Sequence, residues 1–218
     1  MTHTPTTTAQ ADLRRRTMTT PIGALELIAG PAGLRAVLWP GEDGSRVTRA
    51  IGAPAHPMRT GADGSPGVAS GPETATRNGI AAGDRSGVGA VAADHPDTSR
   101  AEGHLDRAQA QLGEYFAGTR RDFDLDLDPA GTDFQLRAWE ALRTIPYGRT
   151  ISYGEQAMQI GETGAARAVG AADGRNPLSI VVPCHRVVAA SGALTGFAGG
   201  LDIKAWLLHH ERTVLARG

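Results

Sequence analysis

The sequence predicts an α/β (α+β) fold: a small N-terminal antiparallel sheet with a covering helix, followed by a mostly helical C-terminal domain with a helix-turn-helix. Three observations predict it. Apolar runs broken by Pro and Gly turn signals occupy residues 14–40, an apolar stripe of helical spacing occupies residues 104–118, and short glycine-broken helical segments follow from residue 131.

The chain opens on "MTHTPTTTAQAD", a Thr-rich stretch without apolar periodicity; residues 1–13 read as a disordered tail that is too polar for a signal peptide. From Arg14, "RRRTMTTPIGALELIAGPAGLRAVLWP" reads as two or three short strands, with turns at Pro21-Ile22-Gly23 and Gly30-Pro31. In residues 51–100, 24 of the 50 residues are Gly, Pro or Ala and none is aromatic. Such a segment buries too little to offset its ordering entropy, so it is expected to be a flexible insertion within a domain of residues 14–130. "HLDRAQAQLGEYFAG" then sets Leu105, Ala108, Leu112, Tyr115 and Phe116 at helical spacing, with Gly118 as the stop, and this helix is expected to cover the sheet. "DFDLDLD" alternates Phe123, Leu125 and Leu127 with aspartates, the pattern of an extended edge segment whose charges face water.

The C-terminal domain, residues 131–218, reads as mostly helical. Thr132 or Asp133 caps a helix carrying Phe134, Leu136, Trp139 and Leu142, closed by Pro146 and Gly148. Ser152 caps a short helix through about Gln159, and Gly161 breaks the chain before a third helix at 164–174. Two short helices around a glycine turn form a helix-turn-helix candidate, although most such pairs are packing units only. The third helix is nearly bare: Ala165, Ala166, Ala168, Gly170, Ala171 and Ala172 allow close backbone approach, and Arg167 is the one long side chain on its first turns. The bland alternative is an Ala-rich helix packed on its neighbours with a solvated arginine.

Composition narrows the function classes. A single cysteine cannot form an internal disulfide, and no run of about 18 apolar residues offers a membrane span, so a soluble, cytoplasmic protein is expected. Residues 131–218 hold nine Lys/Arg against seven Asp/Glu, a net charge far below the broad basic footprint of a protein that binds nucleic acid mainly by neutralising phosphates. Any DNA contact is therefore local. No ligand pair has the spacing of a zinc site, and no P-loop or dinucleotide fingerprint is present; no metal and no cofactor are expected.

The cysteine itself, Cys184, lies in "VVPCHRVV". A lone cysteine is commonly a small buried hydrophobe. Here Pro183 ends the strand-like run Ile180-Val181-Val182, so Cys184 is expected just past a strand end, with His185 and Arg186 as polar neighbours that a structural thiol would not need. A thiol of pKa about 8.5 needs a base or a cationic setting to act as a nucleophile. His185 is a candidate base through a bridging water, since adjacent side chains on extended backbone point apart. Glu211, at the end of the last apolar helix "IKAWLLHHE", is the candidate carboxylate to orient it; otherwise it is a solvated terminal charge.

"VPCHRVV", with "NP" seven residues before the cysteine, "ISYGE", "AARAVG" and "SGALTGFAGGL", resembles the O6-alkylguanine-DNA alkyltransferases, the methylated-DNA–protein-cysteine methyltransferases. The resemblance runs through residues 131–211, with looser likeness at 19–40 and 101–130; residues 51–100 have no counterpart. It implies a single-turnover, self-inactivating repair enzyme in which Cys184 accepts the alkyl group, His185 acts as base through a water, Glu211 orients the histidine, and Asn176 holds the active-site turn and joins this network. Tyr153 is implied to lie near the base and the 3′ phosphate and to help protonate the leaving guanine. Arg167 is implied to fill the stack left by a flipped nucleotide, with Ala166, Ala168 and Gly170 letting the helix enter a minor groove. The carbonyls of Cys184 and Val187 are implied to read the guanine amino group, the amide of Ala198 to donate to O6, and Phe197, where some members have tyrosine, to form an apolar wall. The implied partner is double-stranded DNA bearing O6-alkylguanine, with activity on O4-alkylthymine left open, and the protein is expected to be a monomer. Two alternatives remain open at this level: a lesion-sensing DNA-binding module without transfer, and a cysteine hydrolase using Cys184 and His185, which would need an oxyanion hole and turnover.

Overall fold

A computed structural model describes residues 12–39 and 96–217. Residues 1–11 of the tail expected at 1–13 and residues 51–95 of the expected insertion lie outside the described residues, whereas Leu13, expected in the tail, packs against Ile28, Ala36 and Leu38. Residues 96–100, which composition placed in the insertion, are helical: the covering helix starts at Pro96. Proline suits a first helical turn, where its missing N–H has no partner to lose, and Asp97 complements the helix dipole.

Three strands, β1 (Arg14–Thr20), β2 (Gly23–Gly30) and β3 (Gly33–Leu38), form an antiparallel sheet in the order β1-β2-β3. The two connections are the anticipated turns, with Thr20 opposite Gly23 and Gly30 opposite Gly33. Gly33 has φ +150°, and a Cβ there would lie 2.4 Å from the Asp126 carbonyl oxygen, so only glycine fits. The helix α1 (Pro96–Ala117) lays Ala101, Leu105, Ala108, Leu112 and Tyr115 on the sheet, the face anticipated from spacing, and Gly118 ends it at φ +77°. The "DFDLDLD" segment makes one bridge, Leu34 to Leu127, rather than a strand. Asp122 and Asp124 do face water, but Asp128 is buried and pairs with buried Arg35 at 3.3 Å, which corrects the all-exposed reading. The physical reason is that a buried guanidinium on β3 requires a counter-charge there.

Beyond this point the chain is mostly helical. The helix α2 (Asp133–Arg143) starts with a reciprocal capping box between Thr132 and Gln135. A two-residue strand β4 (Ile151–Ser152) leads into α3 (Tyr153–Gln159), which has a second capping box, Ser152 with Glu155. Gly161 at φ +76° turns the chain toward α4 (Ala166–Asp173), so the third helix is shorter than the expected 164–174. A single 3₁₀ turn, Cys184–Arg186, precedes the two-residue strand β5 (Val187–Val188), and α5 (Leu201–Arg217) closes the described chain. Parallel pairing of Ile151 with Val187 and Ser152 with Val188 brings the start of α3 beside the cysteine turn.

One apolar cluster runs from Met18, Leu25 and Leu34 through Tyr115 and Trp139 to Val182, Cys184 and Leu207. The sheet and the C-terminal helices thus share a core. The backbone seam between them includes Val37 N–H donating to the Pro177 carbonyl at 2.8 Å. Among the described residues no helix is long and apolar enough to cross a membrane.

Candidate active site and DNA interface

The run Ile180-Val181-Val182 is not a strand, contrary to expectation. Ile180 has φ +73° and the Val181 N–H donates to the Ser179 carbonyl at 2.9 Å, a γ-turn in the conformation that costs a branched residue most. Asn176 holds this turn shut. Its Nδ2 donates to the Val182 carbonyl at 2.7 Å, and its Oδ1 accepts from the Leu178 N–H at 3.0 Å. A second tight turn follows about Pro183 (φ −84°, ψ 63°), with the Cys184 N–H on the Val182 carbonyl at 2.9 Å. Successive turns of this kind override the β preference of the apolar run, because Asn176 supplies hydrogen bonds a strand partner would otherwise give. They deliver Cys184, 7% exposed, to the edge of the core.

His185 is fully buried and its Nε2 lies 2.8 Å from Glu211 Oε1. Glu211 sits within α5, not at its end as expected, because the helix continues to Arg217. Its carboxylate also accepts from Arg186 Nη2 (3.0 Å) and Nε (3.1 and 3.2 Å), from the Tyr115 hydroxyl (3.0 Å) and from the Gly148 N–H (2.8 Å). Burial alone would raise the Glu211 pKa, but the hydrogen bond and charge of His185 and the Arg186 guanidinium outweigh it and hold it at about 2. Burial is the largest influence on His185 and lowers its pKa, leaving a neutral ring at neutral pH. Its Nδ1 is buried without a hydrogen-bond partner among the described residues. Neutral imidazole with Nε2 engaged and Nδ1 open is the form that accepts a proton at Nδ1.

Sequence reasoning missed Tyr115, Gly148 and Lys204, and named Arg186 without a role. Lys204 is fully buried in α5 and its Nζ donates to the carbonyls of Val187 (2.6 Å) and Thr195 (2.7 Å). Burial lowers its pKa, while the neighbouring Cys184 and Asp173 charges act to raise it. A lysine in the apolar run "IKAWLL" was the available signal. Tyr153, the first residue of α3, donates its hydroxyl to the same Thr195 carbonyl at 3.1 Å. Thr195 therefore ties the loop carrying Phe197 and Ala198 over the cysteine side of the fold. Phe197 meets the His185 ring edge-on at 6.5 Å; Ala198 is exposed. Of the carbonyls expected to read a base, that of Cys184 accepts from the Val187 N–H and that of Val187 from Lys204.

The helix pair α3–α4 carries the remaining expected residues. Arg167 and Ala168 are exposed and Ala166 and Gly170 half-buried, while Val169 and Ala172 face the core. Arg167 makes no hydrogen bond or ion pair with the described residues. Gly170 brings the helix against Tyr153, whose ring carbons would lie 3.5 Å from any added Cβ. No group of three or more His, Cys, Asp or Glu that could hold a metal occurs among the described residues.

Residues 133–213 match the family described as 6-O-methylguanine DNA methyltransferase, DNA binding domain. The chain is 64% identical over 105 residues to the methylated-DNA–protein-cysteine methyltransferase of Mycolicibacterium paratuberculosis, covering 48% of this chain and 64% of that one. With the Mycobacterium bovis protein of the same name it is 57% identical over 118 residues, covering 54% of this chain and 69% of the relative. The chain belongs to the methylated-DNA–protein-cysteine methyltransferase family. As a family member it is an α+β DNA-binding repair enzyme that transfers an alkyl group from DNA to protein cysteine. A solved structure, Mycobacterium tuberculosis OGT in complex with DNA, superposes with a TM-score of 0.64 at 38% identity, covering 92% of this chain and 93% of that one. The Mycobacterium tuberculosis O6-methylguanine methyltransferase superposes with a TM-score of 0.60 at 36% identity over the same shares of the two chains, 92% and 93%.

Proposed function

We propose that this methyltransferase repairs O6-alkylguanine in duplex DNA, entered from the minor groove, by moving the alkyl group irreversibly to Cys184. The observation that carries the reading is the buried His185-Glu211-Arg186 network next to Cys184, in which one imidazole nitrogen is unpartnered among the described residues. His185 takes the thiol proton at Nδ1 through a water, and the Glu211 carboxylate stabilises the imidazolium so formed. The Cys184 sulfur then attacks the alkyl carbon in line; the S–C bond forms as the C–O6 bond breaks, and the electron pair passes to the guanine. Tyr153, kept protonated by burial, which raises its pKa, gives its proton to the leaving base. The thioether is a poor leaving group, so each molecule acts once.

Reaching O6 requires the nucleotide to leave the stack, at a cost of a few kcal/mol, which Arg167 on the exposed face of α4 offsets by filling the gap. Ala166, Ala168 and Gly170 keep that face low enough for a minor groove. The carbonyls of Cys184 and Val187, the amide of Ala198 and the wall of Phe197 receive the flipped base. Asn176 holds the cysteine turn. The protein works as a monomer in which residues 14–130 scaffold the catalytic part at 131–218.

Intact-protein and peptide mass spectrometry after incubation with a duplex containing one O6-methylguanine tests this. The expected gain is one methylene on the Cys184 peptide, saturating at one per protein and absent in Cys184→Ala, which still binds the duplex. A methyl group on another peptide, or bound DNA with no gain, overturns the assignment.

A further inference from the structure

The loop between β5 and α5 is held from two sides, and the second side belongs to the N-terminal sheet. Trp39, directly after β3 and 5% exposed, donates its Nε1–H to Ser179 Oγ at 3.2 Å, on the strained turn before the cysteine. Its ring meets Phe197 at 5.6 Å and 61°. It also lies so close to Gly199 that a Cβ there would be 2.8 Å from Trp39 Cε2 and 3.1 Å from Phe197 Cε1. Phe197 in turn meets the His185 ring in a T-shaped arrangement at 6.5 Å and 82°. Trp39 therefore touches the turn that carries Cys184 and the loop that faces it, and backs the one aromatic ring between itself and the imidazole.

We propose that Trp39 is a positioning residue that sets the width of the alkyl slot: by fixing Phe197 against His185 it restricts the site toward small alkyl groups. The geometry gives two changes of opposite sign. Removing the indole lets Phe197 withdraw from His185 and widens the slot. Adding a methyl at position 199 wedges Trp39 and Phe197 apart; Trp39 is buried and anchored on Ser179, so the half-buried Phe197 yields toward His185 and narrows it. The inference rests on Cys184 being the acceptor.

The test compares single-turnover transfer from duplexes carrying O6-methylguanine or O6-benzylguanine, using the full chain and its W39A, W39F and G199A variants, with rates taken across protein concentration to separate binding from transfer. W39A is expected to raise the benzyl-to-methyl rate ratio at least threefold, G199A to lower it at least threefold, and W39F to stay within twofold of wild type, all with duplex binding within twofold. Equal loss on both substrates, or both variants moving the ratio the same way, overturns the proposal. Amide exchange over residues 195–199 in the free protein provides a readout independent of chemistry: W39A speeds it at least tenfold while α2 is unchanged, and unchanged protection there refutes the role. Wild type that takes up no methyl group, with faster exchange in W39A, leaves Trp39 as the brace of the loop and refutes the acceptor instead.

Discussion

Two buried carboxylates in the C-terminal helices have opposite fates. Glu211 on α5 accepts hydrogen bonds from His185, Arg186, Tyr115 and Gly148. Asp173 at the end of α4 accepts from Gln156 Nε2 at 3.0 Å, and its Oδ2 is without a partner among the described residues. Glu211 is held at about 2; Asp173 is pushed by burial to about 7, against the opposing pulls of Gln156 and Lys204. Burial acts the same way on both. What differs is the number of donors and the presence of a guanidinium. Gln156 Oε1 is likewise an orphan among the described residues, so the Gln156–Asp173 pair between α3 and α4 has an unmatched acceptor on each member. A proton on Asp173 supplies the missing donor. The active site concentrates donors on one permanent anion, while the interior of the helix pair holds an acid that is half neutral near physiological pH.

The largest break in this comparison is E211A. It strands Arg186 beside a buried imidazole and is expected to cost about 3–5 kcal/mol at pH 7, with transfer lost. Chemical denaturation across pH checks the cause. Glu211 has a folded pKa below its ordinary value of 4.5, so its contribution is present above about pH 4.5 and fades as pH falls through about 2. The gap between E211A and wild type should close in that window.

D173N sharpens the comparison from the other side. Asn keeps the acceptor for Gln156 Nε2 and adds a permanent donor. Asp173 has a folded pKa above its ordinary 3.8, so the stability it permits is fully present below pH 3.8 and is lost as pH rises through about 7. The variant should match wild type near pH 4 and exceed it by on the order of 2–4 kcal/mol above pH 7. The difference curve is the proper measurement, because His185, with a lowered pKa, gives wild type an opposing loss as pH falls below 6.5. A flat difference from pH 4 to 8 would show that Asp173 is ionised throughout.

The smallest expected effect is Y115F, which removes one of several donors to Glu211 and should cost about 1.5 kcal/mol by denaturation. A loss as large as that of E211A would mean that Tyr115, not Arg186, keeps the carboxylate ionised.

Features that depend on neighbours along the chain are legible in the order of residues. Thr132 and Ser152 announce two helix starts, because a cap bonds within its own first turn, and the structure completes each with a capping box to Gln135 and Glu155. Leu105, Ala108, Leu112 and Tyr115 announce the covering helix, because helical periodicity is local. The order of "PCHR" nominates Cys184 and His185, because thiol chemistry needs a base and the next residue supplies one. Features controlled by burial and by donors distant in the chain emerge only on folding. Asn176 turns Ile180-Val181-Val182 from an apparent strand into a strained turn. Arg35 draws Asp128 out of water across 93 residues, Tyr115 reaches Glu211 across 96, and Trp39 reaches Ser179 across 140. The ionisation of Glu211 and the protonation of Asp173 belong here too, since a pKa in the core is fixed by the surrounding donors and charges, and these assemble only when the chain has folded.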